Sequence, residues 1–314
     1  MKLIGRIALA GLISALTFIL SACSTDDENY MYEPDTIGCR LAAALMNHEA
    51  VLELEEVFIT LPEPGLTIAY RIRYESEGYE VIGYAVAPVD FMDNKYPILI
   101  VNRGGNREFG MWLSPNDFAG IAEAGFIMLA SQYRGVAGGT GVEQFGGDDI
   151  NDVLRLIDIS ESFDFAQQGG VYMFGGSRGG MMTYIASRLD ERIVAAAVWA
   201  ARSDLISTWE DERSGMRLIF TELIGGPPEG ELLEEYIRRS AIFWADEIKP
   251  PILIMHGGDT DWRVLTQHSI NMAEALERYG RPHRLVIFSD AGHDMPETAY
   301  FEAIQWFSQH PISP

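Results

Sequence analysis

The chain has 314 residues, 47% of them hydrophobic, enough for one large α/β domain with a well-buried core. Its 46 acidic residues against 23 basic ones leave a formal charge of −23, so nucleic acid and anionic lipid surfaces should repel it. Two cysteines, Cys23 and Cys39, are too few for a disulfide framework or a cysteine metal site.

The first residues carry an address. Lys2 and Arg6 form a short basic start, and Ile7 to Leu20 is an apolar run too short for a comfortable spanning helix. Leu20-Ser21-Ala22-Cys23 then resembles the bacterial lipobox. Residues 1–22 are therefore expected to leave as a lipoprotein signal peptide, with Cys23 becoming a lipid-modified first residue. The expected location is extracytoplasmic, lipid-anchored to a bacterial membrane. Losing Lys2 and Arg6 takes the charge to −25, and Cys39, without a partner, reads as a small apolar residue. Residues 23–50 read as an acidic tether and lead-in, polar from Ser24 to Asp35, and residues 51–314 as a single α/β domain with no repeat or linker inside it.

Apolar strand-like runs then alternate with helical segments. They are Leu66 to Tyr74, Glu80 to Ala87, Pro97 to Asn102, Phe126 to Tyr133, Val171 to Phe174, Ile193 to Ala200, Pro251 to His256 and His283 to Ser289. The first two alternate, as antiparallel strands with a wetter face do; solid runs such as Ile98 to Val101 and Ile252 to Met255 fit parallel strands covered on both faces. Ser114-Pro115 opens a helix that stops at Gly125, and Thr266 opens another that stops at Gly280. Strands alternating with helices predict a doubly wound, mostly parallel eight-stranded α/β sheet with helices on both faces. Active sites of such sheets lie at the carboxyl ends of the strands.

The most telling segment is Val171-Tyr-Met-Phe-Gly175-Gly176-Ser177-Arg178-Gly179-Gly180. An apolar strand runs into Gly-x-Ser-x-Gly and then a helix, the order of a nucleophile elbow, with Gly175 and Gly179 where a side chain would strike a neighbouring strand or helix. The helix N-terminus beside Ser177 favours the negative charge that develops on a carbonyl oxygen under attack.

An acid and a histidine follow, each on a loop after a strand. Asp259 and Asp261 lie on the Gly-rich loop after His256, and His293 follows Ser289-Asp290-Ala291-Gly292. A serine hydroxyl must lose its proton as it attacks; a histidine takes it, and a carboxylate on the other ring nitrogen fixes the tautomer. Of the six histidines, His48 precedes the sheet, His268 lies inside a helix, His283 opens a strand and His310 is in the tail. His256 ends a strand before Gly257-Gly258 and reads as a turn residue, which leaves His293 as the base. Serine, acid, histidine is the chain order of an α/β-hydrolase.

With Ser177, the Asp261-Trp-Arg-Val264 segment and His293 in hand, the chain resembles the catalytic domain of the prolyl oligopeptidase family of serine peptidases, from about Tyr70 to the C-terminus. Gln132-Tyr133-Arg134-Gly135, Gly146-Gly-Asp-Asp149-Ile-Asn-Asp152 and Arg239-Ser-Ala-Ile242 are further matches. The resemblance implies that Asp261 is the triad acid, lying three residues before the valine, and that Arg178 N–H and the Tyr133 hydroxyl form the oxyanion hole. A backbone N–H in Asn102-Arg103-Gly104-Gly105 is the alternative to Tyr133, placed where esterases and lipases put theirs. Only about forty residues separate Cys23 from the first expected strand, so the family's large N-terminal β-propeller is not expected.

The expected function is thus a peptidase acting through an acyl-enzyme on small peptide substrates, with a carboxylesterase on the same triad as the alternative and a non-catalytic binding protein as a third reading. No cofactor and no metal are expected. Ser207 to Ser240, with Trp209 and the Gly225-Gly-Pro-Pro228 break, is expected to cap the pocket.

Overall fold

The structure, a computed structural model, describes residues 37–57, 67–112 and 119–313. The lipobox with Cys23, the acidic tether to Asp35 and the Ser114-Pro115 helix start lie outside the described residues. Among those described, no helix is long and apolar enough to cross a membrane.

One sheet holds all nine described strands, in the order β1-β2-β3-β5-β4-β6-β7-β8-β9. They are β1 (Val51–Glu56), β2 (Thr67–Ser76), β3 (Tyr79–Pro88), β4 (Ile98–Asn102), β5 (Ile127–Ser131), β6 (Val171–Gly176), β7 (Ile193–Trp199), β8 (Ile252–Gly257) and β9 (His283–Phe288). The pairs β1–β2, β2–β3 and β3–β5 are antiparallel, and every pair from β5 to β9 is parallel. The α/β-hydrolase architecture is therefore present, with nine strands rather than eight. The extra strand is β1, whose Val-Leu-Glu-Leu-Glu-Glu reads as polar. It works as an edge strand because Val51 and Leu54 are buried while Glu53, Glu55 and Glu56 face water.

Helices cover both faces: α1 (Ile37–Asn47), α2 (Ala119–Glu123), α3 (Ile150–Ser160), α4 (Arg178–Leu189), α5 (Leu205–Glu210), α6 (Arg217–Leu223), α7 (Leu232–Arg239), α8 (Gln267–Arg278) and α9 (Glu297–Gln309). The two-residue period of the strands sorts their side chains between two cores. Ile98, Ile100, Ile127, Leu129, Val171 and Met173 pack with Leu156 of α3, Met182 of α4 and Leu276 of α8. Their neighbours Leu99, Val101, Met128, Ala130, Tyr172 and Phe174 pack with Ala122 of α2 and with Trp306 and Phe307 of α9. Two covered faces are why these strands read as solid apolar runs. β2 alternates as expected, but β3 is buried from Val81 onward, because both cores reach it: Val81 and Ala85 join one, Tyr84 and Val86 the other.

Within the expected lead-in, α1 sinks Leu41 and Leu45 into the first core and packs on β1. Between β7 and β8 the chain leaves the sheet for α5, α6 and α7, joined by Trp209, Phe220 and Tyr236, whose rings meet edge to face at 6.1 and 5.7 Å.

Candidate active site

Ser177 sits between β6 and α4 with φ 54° and ψ −120°. A non-glycine residue held there costs about 1–3 kcal/mol, offset by the surrounding packing. Its N–H donates to the carbonyl of Trp199 at 2.7 Å, which ties the turn to β7. A Cβ on Gly179 would run into the backbone of Asn102 on β4, and one on Gly175 into the backbone of Gly179, so both positions require glycine. The side chain of Ser177 stays partly exposed at the carboxyl edge of the sheet.

Under this turn lies a buried ionic platform. Arg178, 1% exposed, reaches Glu143 and Asp149 at 2.7 Å each, and Arg103 reaches Glu143 at 3.3 Å. The Asp149 carboxylate also accepts the N–H groups of Gln144 and Gly146. Burial disfavours the charge on Arg178, but Asp149 and Glu143 overcome it and raise its pKa. Arg103 drops to about 10, through burial first and the neighbouring Arg178 second. A parallel pair joins Arg134 to Asp152 of α3, with nitrogen–oxygen distances from 2.7 to 3.1 Å. The Tyr-Arg-Gly and Gly-Gly-Asp-Asp motifs thus meet as scaffolding: Asp149 holds Arg178, Asp152 holds Arg134.

Tyr133 is fully buried, in the left-handed region at φ 66°, with the Arg178 and Arg103 guanidiniums 4.4 and 5.0 Å from its ring centre. Its hydroxyl donates to the Arg103 carbonyl at 3.0 Å. The single phenolic proton is therefore spent on the loop after β4. That loop runs against the nucleophile, since a Cβ built on Gly104 would lie 3.3 Å from Ser177 Cβ. Burial raises the Tyr133 pKa, so the hydroxyl stays protonated.

The acid and base come from the loops after β8 and β9. His293 Nδ1 lies 3.1 and 3.0 Å from the two carboxylate oxygens of Asp261. Asp261 is 2% exposed, whereas Asp259 lies exposed on the same loop. Burial alone would raise the Asp261 carboxyl; hydrogen bonds from His256, His293 and the Val264 N–H outweigh it and hold the group well below the usual carboxylate range. A carboxylate can only accept, so Nδ1 of His293 carries the proton and Nε2 is left as an acceptor. Trp199 ties the base to the nucleophile: its carbonyl takes the Ser177 N–H, and its indole N–H donates to the His293 carbonyl at 2.7 Å. Asp261 is the side-chain hydrogen-bond partner of His293 among the described residues.

His256 plays a larger part than a turn residue. It is fully buried, and its Nε2 lies 2.9 Å from the Val264 carbonyl and 3.2 Å from Asp261 Oδ2. Because a carbonyl only accepts, Nε2 bears the hydrogen and Nδ1 accepts from the Ser269 hydroxyl at 2.7 Å. One carboxylate is thus clamped between two imidazoles. Thr266, expected to cap α8, turns its hydroxyl instead to the carbonyls of Gly257 and Gly258, which fastens the helix to this loop. No local pattern marks these contacts; the remaining hint is a histidine at a strand end with a serine one helical turn into the next helix.

Comparison with known proteins gives the family. Residues 112–310 match the prolyl oligopeptidase family (Peptidase_S9). An uncharacterized peptidase, YtmA of Bacillus subtilis, is 31% identical over 228 residues, 72% of this chain and 86% of its own. Acylaminoacyl peptidase of Pyrococcus horikoshii superposes with a TM-score of 0.67 at 18% identity, covering 87% of this chain but 44% of that one. Acetyl xylan esterase of Paenibacillus sp. R4 superposes at 0.64 and 18% identity, covering 91% and 98%. The chain therefore spans less than half the length of the acylaminoacyl peptidase and nearly all of the esterase, and these two likenesses bear on the fold alone. From the family match and the YtmA alignment together, the chain belongs to the prolyl oligopeptidase family.

Proposed function

We propose that the protein is a serine hydrolase that cleaves peptide bonds through an acyl-enzyme on Ser177. The observation that carries this reading is the His293–Asp261 contact, held beside the strained serine by Trp199. Ser177 Oγ attacks the scissile carbonyl carbon while His293 Nε2 takes its proton; the imidazolium is stabilised by Asp261 and returns that proton to the leaving amine. Water, activated by the same histidine, then releases the acid and restores the serine. The oxyanion is received by the Arg178 N–H, one of the first-turn donors that α4 leaves without an intrahelical partner, and by a backbone N–H of Gly104 or Gly105. Tyr133 supports the second donor by holding the Arg103 carbonyl. Exposed Phe109 and Trp262, with Arg263 over both rings, offer an apolar rim for substrate side chains, and α5 to α7 cap the pocket from the β7 side.

A carboxylesterase on the same triad is the second reading. The occupied Tyr133 hydroxyl favours it, since the donors that remain are the backbone ones expected of esterases. Fluorophosphonate should label the wild type and not Ser177→Ala; no labelling of the wild type removes the hydrolase reading. Turnover of short peptide p-nitroanilides against p-nitrophenyl acyl esters then separates the two, and turnover of esters alone assigns the esterase.

We further propose that Cys23 carries lipid and holds the enzyme on the outer side of a bacterial membrane, with residues 24–35 as tether. Lys2, Arg6, the Ile7 to Leu20 run and Leu20-Ser21-Ala22-Cys23 support this. Metabolic labelling with a fatty acid should mark the wild type and not Cys23→Ala; equal labelling, or none, rejects the anchor.

A further inference from the structure

Among the described residues five arginines are buried, and four of them hold a carboxylate. Arg103 has Glu143 at 3.3 Å, Arg134 has Asp152 at 2.7 Å, Arg178 has Glu143 and Asp149 at 2.7 Å, and Arg239 has Glu235 at 2.6 Å. Arg202 is the exception. It is 6% exposed, no carboxylate of the described residues lies within 4.0 Å, and its side-chain hydrogen bond runs from Nη2 to the Arg263 carbonyl at 2.7 Å. A guanidinium has five N–H donors, so most of this one's capacity is left over; Asp261 and Asp211 act on its charge without touching it.

Arg202 lines a pocket of ≈ 140 Å³ between the segment around α5 and the start of α8, together with Thr208, Asp211, Arg263, His268 and Asn271. Neither Ser177 nor His293 reaches it. Asp211 spends its carboxylate on Arg213 at 3.0 Å, and Arg263 has no carboxylate within 4.0 Å. Two arginines and one aspartate line the pocket, and Asp261 acts on Arg202 from beyond ion-pair distance. His268 adds none: burial first, and Arg202 second, lower its pKa to about 3 and keep the ring neutral, with Nε2 3.4 Å from the Thr208 hydroxyl.

We propose that this pocket binds a small carboxylate, gripped by Arg202, beside and separate from the catalytic serine. The planar fork of a guanidinium matches a carboxylate bidentately, and Arg202 faces the pocket with donors to spare. A volume of ≈ 140 Å³ holds a few waters' worth of ligand, the size of acetate or a short dicarboxylate. Arg202 holds the Arg263 carbonyl, and the Arg263 N–H donates to Asp261 at 3.0 Å, so occupancy reaches the triad acid through one residue. This site does not depend on the peptide or ester reading.

Thermal unfolding of the full chain in acetate or succinate, against chloride at matched ionic strength, tests the proposal. Wild type should show a saturable rise in Tm. Arg202→Met should lose that rise while still unfolding cooperatively without ligand. No saturable rise in wild type, or an equal rise in Arg202→Met, overturns the site; so does a rise with inorganic phosphate alone. Should Arg202→Met fail to fold, Asp211→Asn takes its place: removing the one carboxylate of the pocket should tighten acetate or succinate binding about threefold to tenfold, and unchanged affinity overturns the proposal. A carboxylate borne by substrate would make acetate raise KM at constant kcat, whereas a free ligand would alter kcat; either supports the site, and no kinetic effect at saturating carboxylate overturns the coupling to Asp261.

Discussion

The two halves of the site are built in opposite ways. The nucleophile stands on a platform where Arg103, Arg178, Glu143 and Asp149 compensate one another out of water and Gly175 and Gly179 admit no side chain. The acid and base hang on loops at the far end of the sheet, beside edge strand β9, and the His293 side chain remains 18% exposed. The serine side is overdetermined, as a strained backbone requires. The base side keeps freedom, which its double duty of taking and returning a proton uses. Asp261 bridges the two manners: it sits on a loop, yet His256, His293 and two backbone N–H groups fix it.

Substitutions in each half should fail differently. Ser177→Ala or His293→Ala should lower kcat by about 10⁶-fold with Tm unchanged, and their combination should cost no more than either alone. Asp261→Asn should cost about 10⁴-fold by presenting the wrong partner to Nδ1, while Asp259→Asn should leave turnover intact; equal losses would dissolve the assignment of Asp261. On the platform the damage should appear as stability. Asp149→Asn leaves Arg178 and Arg103 to share Glu143 alone and should cost about 3 kcal/mol in denaturant unfolding. Tyr133→Phe should lower kcat less than about tenfold, since its hydroxyl holds the Arg103 carbonyl; a loss of 10² or more would return it to the oxyanion hole. The smallest effect is on pH. His268 is held at about 3 in the folded state against about 6.5 unfolded. The unfolded chain then binds more protons between those values, so Tm should be level above about pH 6.5 and fall as pH drops toward 3. His268→Gln should flatten that part of the Tm–pH curve.

The elbow was legible because each requirement is local: an apolar strand, two glycines, a serine and a helix start within ten residues. The solid apolar strands were legible because coverage on both faces leaves no polar position. β1 escaped because an edge strand buries so little that Val51 and Leu54 among three glutamates carry no signal. His256 escaped for another reason: its meaning lies in contacts to Val264, Asp261 and Ser269, made by a loop that closes back on itself.

Sequence alone thus determined eight of the nine described strands, the elbow that carries Ser177 and the family, since periodicity, turn chemistry and chain order are properties of neighbours along the chain. Tertiary structure decided which aspartate meets His293, where the Tyr133 proton goes, that the family's charged motifs pair beneath the serine, and that Arg202, among the described residues, is buried with no carboxylate at ion-pair distance. The physical reason is that the energy of a charge or a polar hydrogen depends on what surrounds it in space.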